Sequence, residues 1–436
     1  MKQTAERIFR ETLAAIDIPA AMERKLARIG SVIRAGTASI DLREFRTIVA
    51  IAYGKAAYAM ARGLAGVLGP EFAPEGILVV PAAPATELPG WRTFTGEHPV
   101  PNEGSFAAGR AILDVLAGCD ERTLIFFLIS GGGSALVEQP LEPAMTLDDF
   151  RGLHSSLVRC GASIGEINCV RKHLSATKGG RLAARALRSM KVTLAISDVP
   201  QGQESALASG PTLPDPTTIR DAERIVQEYK LMEELPPAIR EAFKTHSLGE
   251  TPKVGDAAFL RSHFVLLLGP RELLHATHHA CEAEGFVCLC DNAADNWPIE
   301  KAVDYLLAQL EAHARANPNR PVAVLCDGEL SSPVAGNGIG GRNSAFVLAC
   351  VEKIAERKIT ILSAGTDGID GSSSAAGAVA DGQTLRRARE TGLDPGDFSR
   401  RCDSNSFFAR LGDAVLTGPT GNNLRDLRIL LAKPDA

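Results

Sequence analysis

The stretch that most constrains how this chain can fold is TLIFFLISGGGSAL, residues 123–136. Residues 124–129 form an unbroken apolar run, short and rich in branched and aromatic side chains. That pattern suits a strand buried on both faces better than a helix. The run ends at Ser130, and Gly131, Gly132, Gly133 and Ser134 follow. Three successive residues without a Cβ let the backbone adopt dihedrals that other residues avoid and turn its amides toward a ligand. The segment reads either as an anion cradle or as a tight turn out of a buried strand.

A strand buried on both faces needs helices on either side, and the rest of the chain alternates strand and helix patterns accordingly. With 436 residues, 45% of them apolar and 23% charged, two α/β domains are expected, or three. A net charge of −5 with no long basic block argues against nucleic acid or an anionic membrane as partner. No apolar run approaches a membrane span, and the N-terminus lacks the apolar core of a signal peptide, so the expected location is cytoplasmic. The nine Cys residues include no C-x-x-C pair and read as reduced thiols.

Helical patterning is expected over residues 4–35. A strand at 47–53 delivers Gly54 and Lys55 to the start of a helix, where Lys55 is either a functional cation at a strand end or an exposed helix-start lysine. The loop GEHPVPNEGS, residues 96–105, presents His98 and Asn102 to a ligand or serves as a rigid connection. Residues 163–186 are expected to form one helix with Arg171, Lys178 and Ser175 along one side, as either a solvated face or an anion-binding set. Asp198 follows the strand pattern at 191–197 and could hold magnesium or cap a turn.

Three polar, glycine-rich stretches occupy residues 326–344, 363–378 and 416–423. The first contains G-x-G-x-x-G at Gly336, Gly338 and Gly341, too far beyond its strand to suit a dinucleotide site. It ends at Arg342, at the expected start of a helix, where guanidinium and helix terminus both favour an anion. The second carries Asp367 and Asp370, two acids three apart that either share a cation, orient a hydroxyl or simply form turns. The sequence has no P-loop, protein-kinase, nucleophile-elbow or H-E-x-x-H motif.

GKAA (residues 54–57), GEHPVPNEGS, LISGGGSAL, VRKHLSATKGGRLA, ISDVP, ASGPTLPD, GNGIGGRNS, GTDGIDG with AAGA, and LTGPTGNNLRDLRILL together resemble the class II glycerate kinases. That family's C-terminal part is the MOFRL domain, and its members often carry the name hydroxypyruvate reductase. The resemblance runs in order over nearly the whole chain. It implies an N-terminal Rossmann-like α/β domain over residues 1–250 and a C-terminal α/β region over 251–436. The latter would contain the MOFRL domain at about 320–430, with the active site in the interdomain cleft.

The resemblance further implies ATP and Mg2+, with D-glycerate as a small-molecule substrate phosphorylated on its 2-hydroxyl to 2-phosphoglycerate by a monomer or homodimer. Lys55 and Arg342 match the family's important lysine and arginine and would neutralise the transferring phosphoryl group. Gly131, Gly132, Gly133 and Ser134 would contact phosphate, Arg171 and Lys178 would join them in binding the cofactor or hold a substrate carboxylate, and Asp198 would hold the metal. Asp367 would orient or deprotonate the attacking hydroxyl. This chain departs from the family pattern at Gln201, Gln203, Asp327 and Ser374. Those departures leave a related hydroxy acid, such as a four-carbon aldonate, as an alternative substrate, and NAD(P)H-dependent reduction of hydroxypyruvate is the alternative reaction.

Overall fold

A computed structural model describes residues 1–199, 202–332 and 336–434; Gln201 lies outside the described residues. In chain order the strands are β1 (Arg28–Ile29), β2 (Val32–Ala35), β3 (Ala38–Asp41), β4 (Thr47–Tyr53), β5 (Glu75–Val80), β6 (Trp91–Thr95), β7 (Thr123–Ile129), β8 (Met190–Ile196), β9 (Ser262–Leu268), β10 (Val287–Cys290), β11 (Val322–Asp327), β12 (Ile359–Gly365), β13 (Gly377–Asp381), β14 (Ala414–Val415) and β15 (Asp426–Ala432). The chain divides into two compact units, residues 18–267 and residues 1–17 together with 268–436. Both are α/β, as expected. Among the described residues, no helix is long and apolar enough to cross a membrane.

In the unit formed by residues 18–267 the main sheet has the order β6-β5-β4-β7-β8-β9, with every pair from β6 to β8 parallel. Numbered along the chain within the sheet, this is 3-2-1-4-5-6, the doubly wound Rossmann order. Its connections reverse direction between β4 and β7, and ligands of such sheets bind outside the carboxyl ends of the strands at that point. Every residue of β7 is buried, as is all of β4 after Thr47. Helices on both faces demand this, and it explains the unbroken apolar runs.

Beyond the sheet, a helical subcore joins Leu147–Arg159, Ile164–Lys172, Ile219–Glu228 and Pro237–Lys244, with Phe106 packed edge-on to Phe150 at 5.8 Å. Two expectations are corrected here. The helical pattern of the first 35 residues ends at Lys25, and β1 to β3 form an antiparallel meander turned at Gly30 and Gly36, both left-handed. Residues 163–186 are not one helix: Ile164–Lys172 ends, and the short helix Arg181–Arg185 starts only after Gly179 and Gly180, at φ 57° and 82°. Their amides leave helical pairing to donate to Ser209 O at 3.0 Å and Gly210 O at 2.7 Å.

The other unit carries a mixed sheet, β10-β11-β15-β12-β13-β14, in which only β10 and β11 are shown parallel and the remaining neighbours are antiparallel. Its register brings the ends of β10, β11, β12 and β14 and the starts of β13 and β15 to one edge. All three C-terminal glycine-rich stretches therefore emerge there. The first helix, Lys2–Ala15, belongs to this unit and packs on Pro270–Ala283, with Arg7 donating to Glu284 at 2.6 and 2.7 Å and Lys2 to Asp413 at 2.7 Å.

At the β4 turn, Gly54 has φ 120°, and a Cβ there would lie 2.2 Å from Ser130 Oγ and 2.6 Å from Ser130 O. Gly54→Ala is expected to destabilise the protein by at least about 2 kcal/mol, read as a lower urea midpoint at unchanged m-value.

Candidate active site

Lys55 and the glycine loop stand on either side of the point where strand order reverses. Lys55 follows β4, and the loop follows β7. The two turns are tied together: Lys55 N donates to Gly131 O at 3.0 Å, Ser130 N to Tyr53 O at 3.2 Å, and Ala56 N to Ser130 Oγ at 3.0 Å. Gly132 is left-handed at φ 78°, and a Cβ built on it would meet Lys55 Cγ at 3.4 Å and the His98 ring at 3.7 Å. The exposed lysine therefore lies along the loop. Desolvation, then the positive charges of Lys55 and Arg171, hold the His98 imidazole below its ordinary pKa. Asn102, the other polar candidate of that segment, caps the helix Glu103–Ala117 by accepting from Ser105 N at 2.9 Å.

Beneath the loop lies a charge cluster. Glu138 is fully buried; Lys178 Nζ stands 3.0 Å from its Oε2 and Arg171 Nη2 3.2 Å from the same oxygen. Ser175 donates its hydroxyl to the other oxygen. Arg171 also donates to Ser134 O at 3.1 Å and Lys178 to Val137 O at 3.0 Å, so both cations grip the backbone that leaves the glycine loop. Two cations against one carboxylate leave a buried excess of positive charge behind the loop. Burial lowers the Lys178 ammonium to a pKa of about 8. Arg171, Lys178 and Ser175 do meet, through Glu138 rather than along a helix.

Ser134 is held at its hydroxyl by Ser209 Oγ at 2.7 Å, which in turn donates to Asn168 Oδ1 at 3.0 Å. Ala208, Ser209 and Gly210 are successive left-handed residues at φ 48°, 61° and 60°. Such backbone costs about 1–3 kcal/mol per non-glycine residue and persists where its surroundings hold it. Asp198 is half-buried just past the end of β8.

The polar edge of the other unit is built on Arg342, the first residue of the helix Arg342–Cys350. Its guanidinium makes two 2.8 Å contacts with Glu329 and pairs through Nε with Asp426 at the start of β15. Despite burial, these two carboxylates raise its pKa. Asp367, half-buried after β12, accepts from Ile369 N at 3.1 Å, and its carbonyl accepts from Thr420 N at 3.1 Å, joining the second and third glycine-rich stretches. Asp370 is buried and bonded to the first turn of the helix that Arg342 begins.

Asp327 is buried at the end of β11, 3.5 Å from Arg425, with one oxygen lacking a partner among the described residues, and burial raises its pKa. The glycines of the G-x-G-x-x-G pattern serve close packing. A Cβ on Gly336 or Gly338 would lie 2.4 or 2.6 Å from Arg401 O, and one on Gly341 would lie 2.3 Å from Asp370 Oδ1.

The structure thus groups Lys55, Gly131, Gly132, Gly133, Ser134, Arg171 and Lys178 at one sheet, with Asp198 on the neighbouring strand end, and Arg342 with Asp367 at the other. Glu138, Ser209, Glu329 and Asp426 complete these clusters without having been singled out as site residues, and Asp370, noted beside Asp367 as a candidate cation or hydroxyl ligand, is instead spent on a helix start. A lone acid in the apolar run SALVEQP was the available clue to Glu138.

A Rossmann-order sheet carries a lysine and a positively backed glycine loop at its switch point, where doubly wound α/β proteins place their ligand sites. Residues 4–244 match the family described as Domain of unknown function (DUF4147), and residues 322–426 match the MOFRL family. The chain is 33% identical over 387 residues to D-glycerate 2-kinase of Thermotoga maritima, covering 88% of this chain and 90% of that protein. It is 37% identical over 388 residues to a protein of Agrobacterium vitis named putative hydroxypyruvate reductase, covering 88% and 86%. The crystal structure of glycerate kinase from Thermotoga maritima aligns over 99% of each chain with 30% identity and a TM-score of 0.85. The chain belongs to the class II glycerate kinase family, whose members join a DUF4147 region to a MOFRL domain.

Removing the charge of Glu138 leaves two buried cations facing each other. Glu138→Gln is expected to destabilise the protein by about 3–5 kcal/mol in urea unfolding, and Glu138→Gln with Lys178→Met to recover most of that loss.

Proposed function

We propose that the protein is an ATP-dependent kinase that transfers the γ-phosphoryl group to the 2-hydroxyl of D-glycerate, giving 2-phosphoglycerate. The observation that carries this reading is the net positive charge left where Arg171 and Lys178 share the one carboxylate of Glu138 behind a glycine loop, with Lys55 in front of it. Family membership supports the phosphotransferase chemistry. Nine thiols, none in a disulfide, support a cytoplasmic site of action.

Phosphoryl transfer asks a protein mainly for positioning and for cations where negative charge spreads. Lys55 and the amides of Gly131 to Ser134 are assigned to the nucleotide phosphates. Arg342 is assigned to the transferring group. Of its two partners, Glu329 has a side chain 42% exposed and Asp426 one only 5% exposed. Glu329 is therefore the carboxylate that gives way to an incoming phosphate, while Asp426 keeps the guanidinium aimed. Asp367 is assigned to accept the proton of the attacking hydroxyl.

Magnesium shared with phosphates needs only one or two protein carboxylates. A single half-buried acid past a strand end, Asp198, fits that demand, and no group of three or more metal-ligating side chains is preformed among the described residues. When bound, the ion would neutralise phosphate charge.

With ATP, Mg2+ and D-glycerate, ADP release should be observed, and Lys55→Ala and Arg342→Ala should each lower kcat by about 10²–10³-fold. A four-carbon aldonate assayed in parallel separates the alternative substrate. Oxidation of NAD(P)H with hydroxypyruvate, in the absence of ADP release, would overturn the kinase reading in favour of the reductase.

The Lys178 pKa lies near 8, below the 10.5 of a free lysine. The cluster is therefore net positive below pH 8 and loses that charge as pH rises through it. KM for ATP should accordingly climb above pH 8, and Lys178→Met should abolish that limb of the profile.

A further inference from the structure

We propose that Asp370 is a positioning residue, which sets Arg342 against Asp367 by capping, from the loop that carries Asp367, the first turn of the helix that Arg342 begins. This rests on the reading of Arg342 as the cation for the transferring group.

Both carboxylate oxygens of Asp370 are committed to that helix. Oδ1 accepts from Asn343 N at 2.9 Å, and Oδ2 accepts from Ser344 N at 2.8 Å and Ser344 Oγ at 2.6 Å. The side chain is 1% exposed, so the acid is spent on the amides that an α-helix cannot satisfy within itself. A buried carboxylate at that end also meets the positive pole of the helix. Asn343, next to Arg342, is held a second time, because its Oδ1 accepts from Ser363 Oγ of β12 at 2.6 Å.

The loop behind Asp370 is closed on itself. Gly368 N donates to Gly365 O, Asp370 N to Ala375 O and Ser373 N to Asp370 O, at 2.8 to 3.1 Å. Asp367 and Asp370 therefore move together. The same loop meets the glycine-rich approach to Arg342 backbone to backbone: Ser372 N donates to Gly340 O at 3.1 Å, and a Cβ on Gly371 would fall 2.3 Å from Gly340 O. One acid thus links the residue assigned to accept the proton with the residue assigned to hold the phosphoryl group.

The test is a steady-state double-mutant cycle with ATP, Mg2+ and D-glycerate. Asp370→Ala is expected to lower kcat on the order of a hundredfold and Asp370→Asn, which keeps one acceptor, on the order of tenfold, with KM for ATP moving less than about threefold. In an Arg342→Ala background the further loss on Asp370→Ala should shrink to within about twofold, since both substitutions remove the same function. Additive losses, an effect carried by KM alone, or unchanged kcat in Asp370→Ala would overturn the inference while leaving the kinase reading intact. Full activity in Arg342→Ala would overturn the role of Arg342 and this inference with it. If circular dichroism shows that Asp370→Ala is unfolded, Asp370→Asn alone and combined with Arg342→Ala decides by the same criterion.

Discussion

A carboxylate removed from water must be paired, and Glu138 meets that demand by drawing Arg171 and Lys178 under the glycine loop. The consequences spread outward. Arg171 reaches the carbonyl of Ser134 and Lys178 that of Val137, so the pairing that neutralises the acid also fixes the backbone leaving β7. Because the helix ends at Lys172 and residues 174–176 pair with the backbone of Gln139 and Leu141, Lys178 turns inward to Glu138 instead of outward to solvent. The surplus cation then gives the loop its electrostatic character.

The polar edge of the other unit shows the opposite balance. Arg342 is one cation held by two carboxylates, and a second group nearby sets Arg425 against Asp295 and Asp327. A guanidinium held on both sides has a defined direction, which a single flexible pair on a surface does not supply. Glycine makes both arrangements feasible for the same steric reason. Gly54 lies against Ser130 and Gly341 against Asp370 at distances that a Cβ would not tolerate. Rigid strands end in turns so close to one another that side chains from separate turns share hydrogen bonds.

Much of this was legible from residue patterns. The continuous apolar run before SGGGS announced a strand buried on both faces, and β7 is buried throughout. The sequence at 47–53 marked β4 and placed Lys55 at its end, since strand-to-helix junctions follow from local composition. Arg342 was placed at a helix start for the same reason. The break after Lys172 was missed because its partners are remote: Leu174 and Ala176 pair with Leu141 and Gln139, and the amides of Gly179 and Gly180 are taken by Ser209 and Gly210, some thirty residues on. Asp367 and Asp370 look equivalent in GTDGIDG, and it is the fold that brings the Asp370 carboxylate to a helix start belonging to another segment.

Residue order by itself determined the α/β class, the strand ends at which chemistry is placed, and the kinds of group found there, because burial on two faces, turn formation and helix starts are written in neighbouring residues. Tertiary structure alone decided which charges meet. That Glu138 would pair with two cations, that Asp426 would aim Arg342, and that the helix Lys2–Ala15 would pack with a unit formed by the far end of the chain all depend on contacts between distant segments. Pairing energy in a dry interior is set by separations of a few ångströms in space, and sequence distance carries no measure of those.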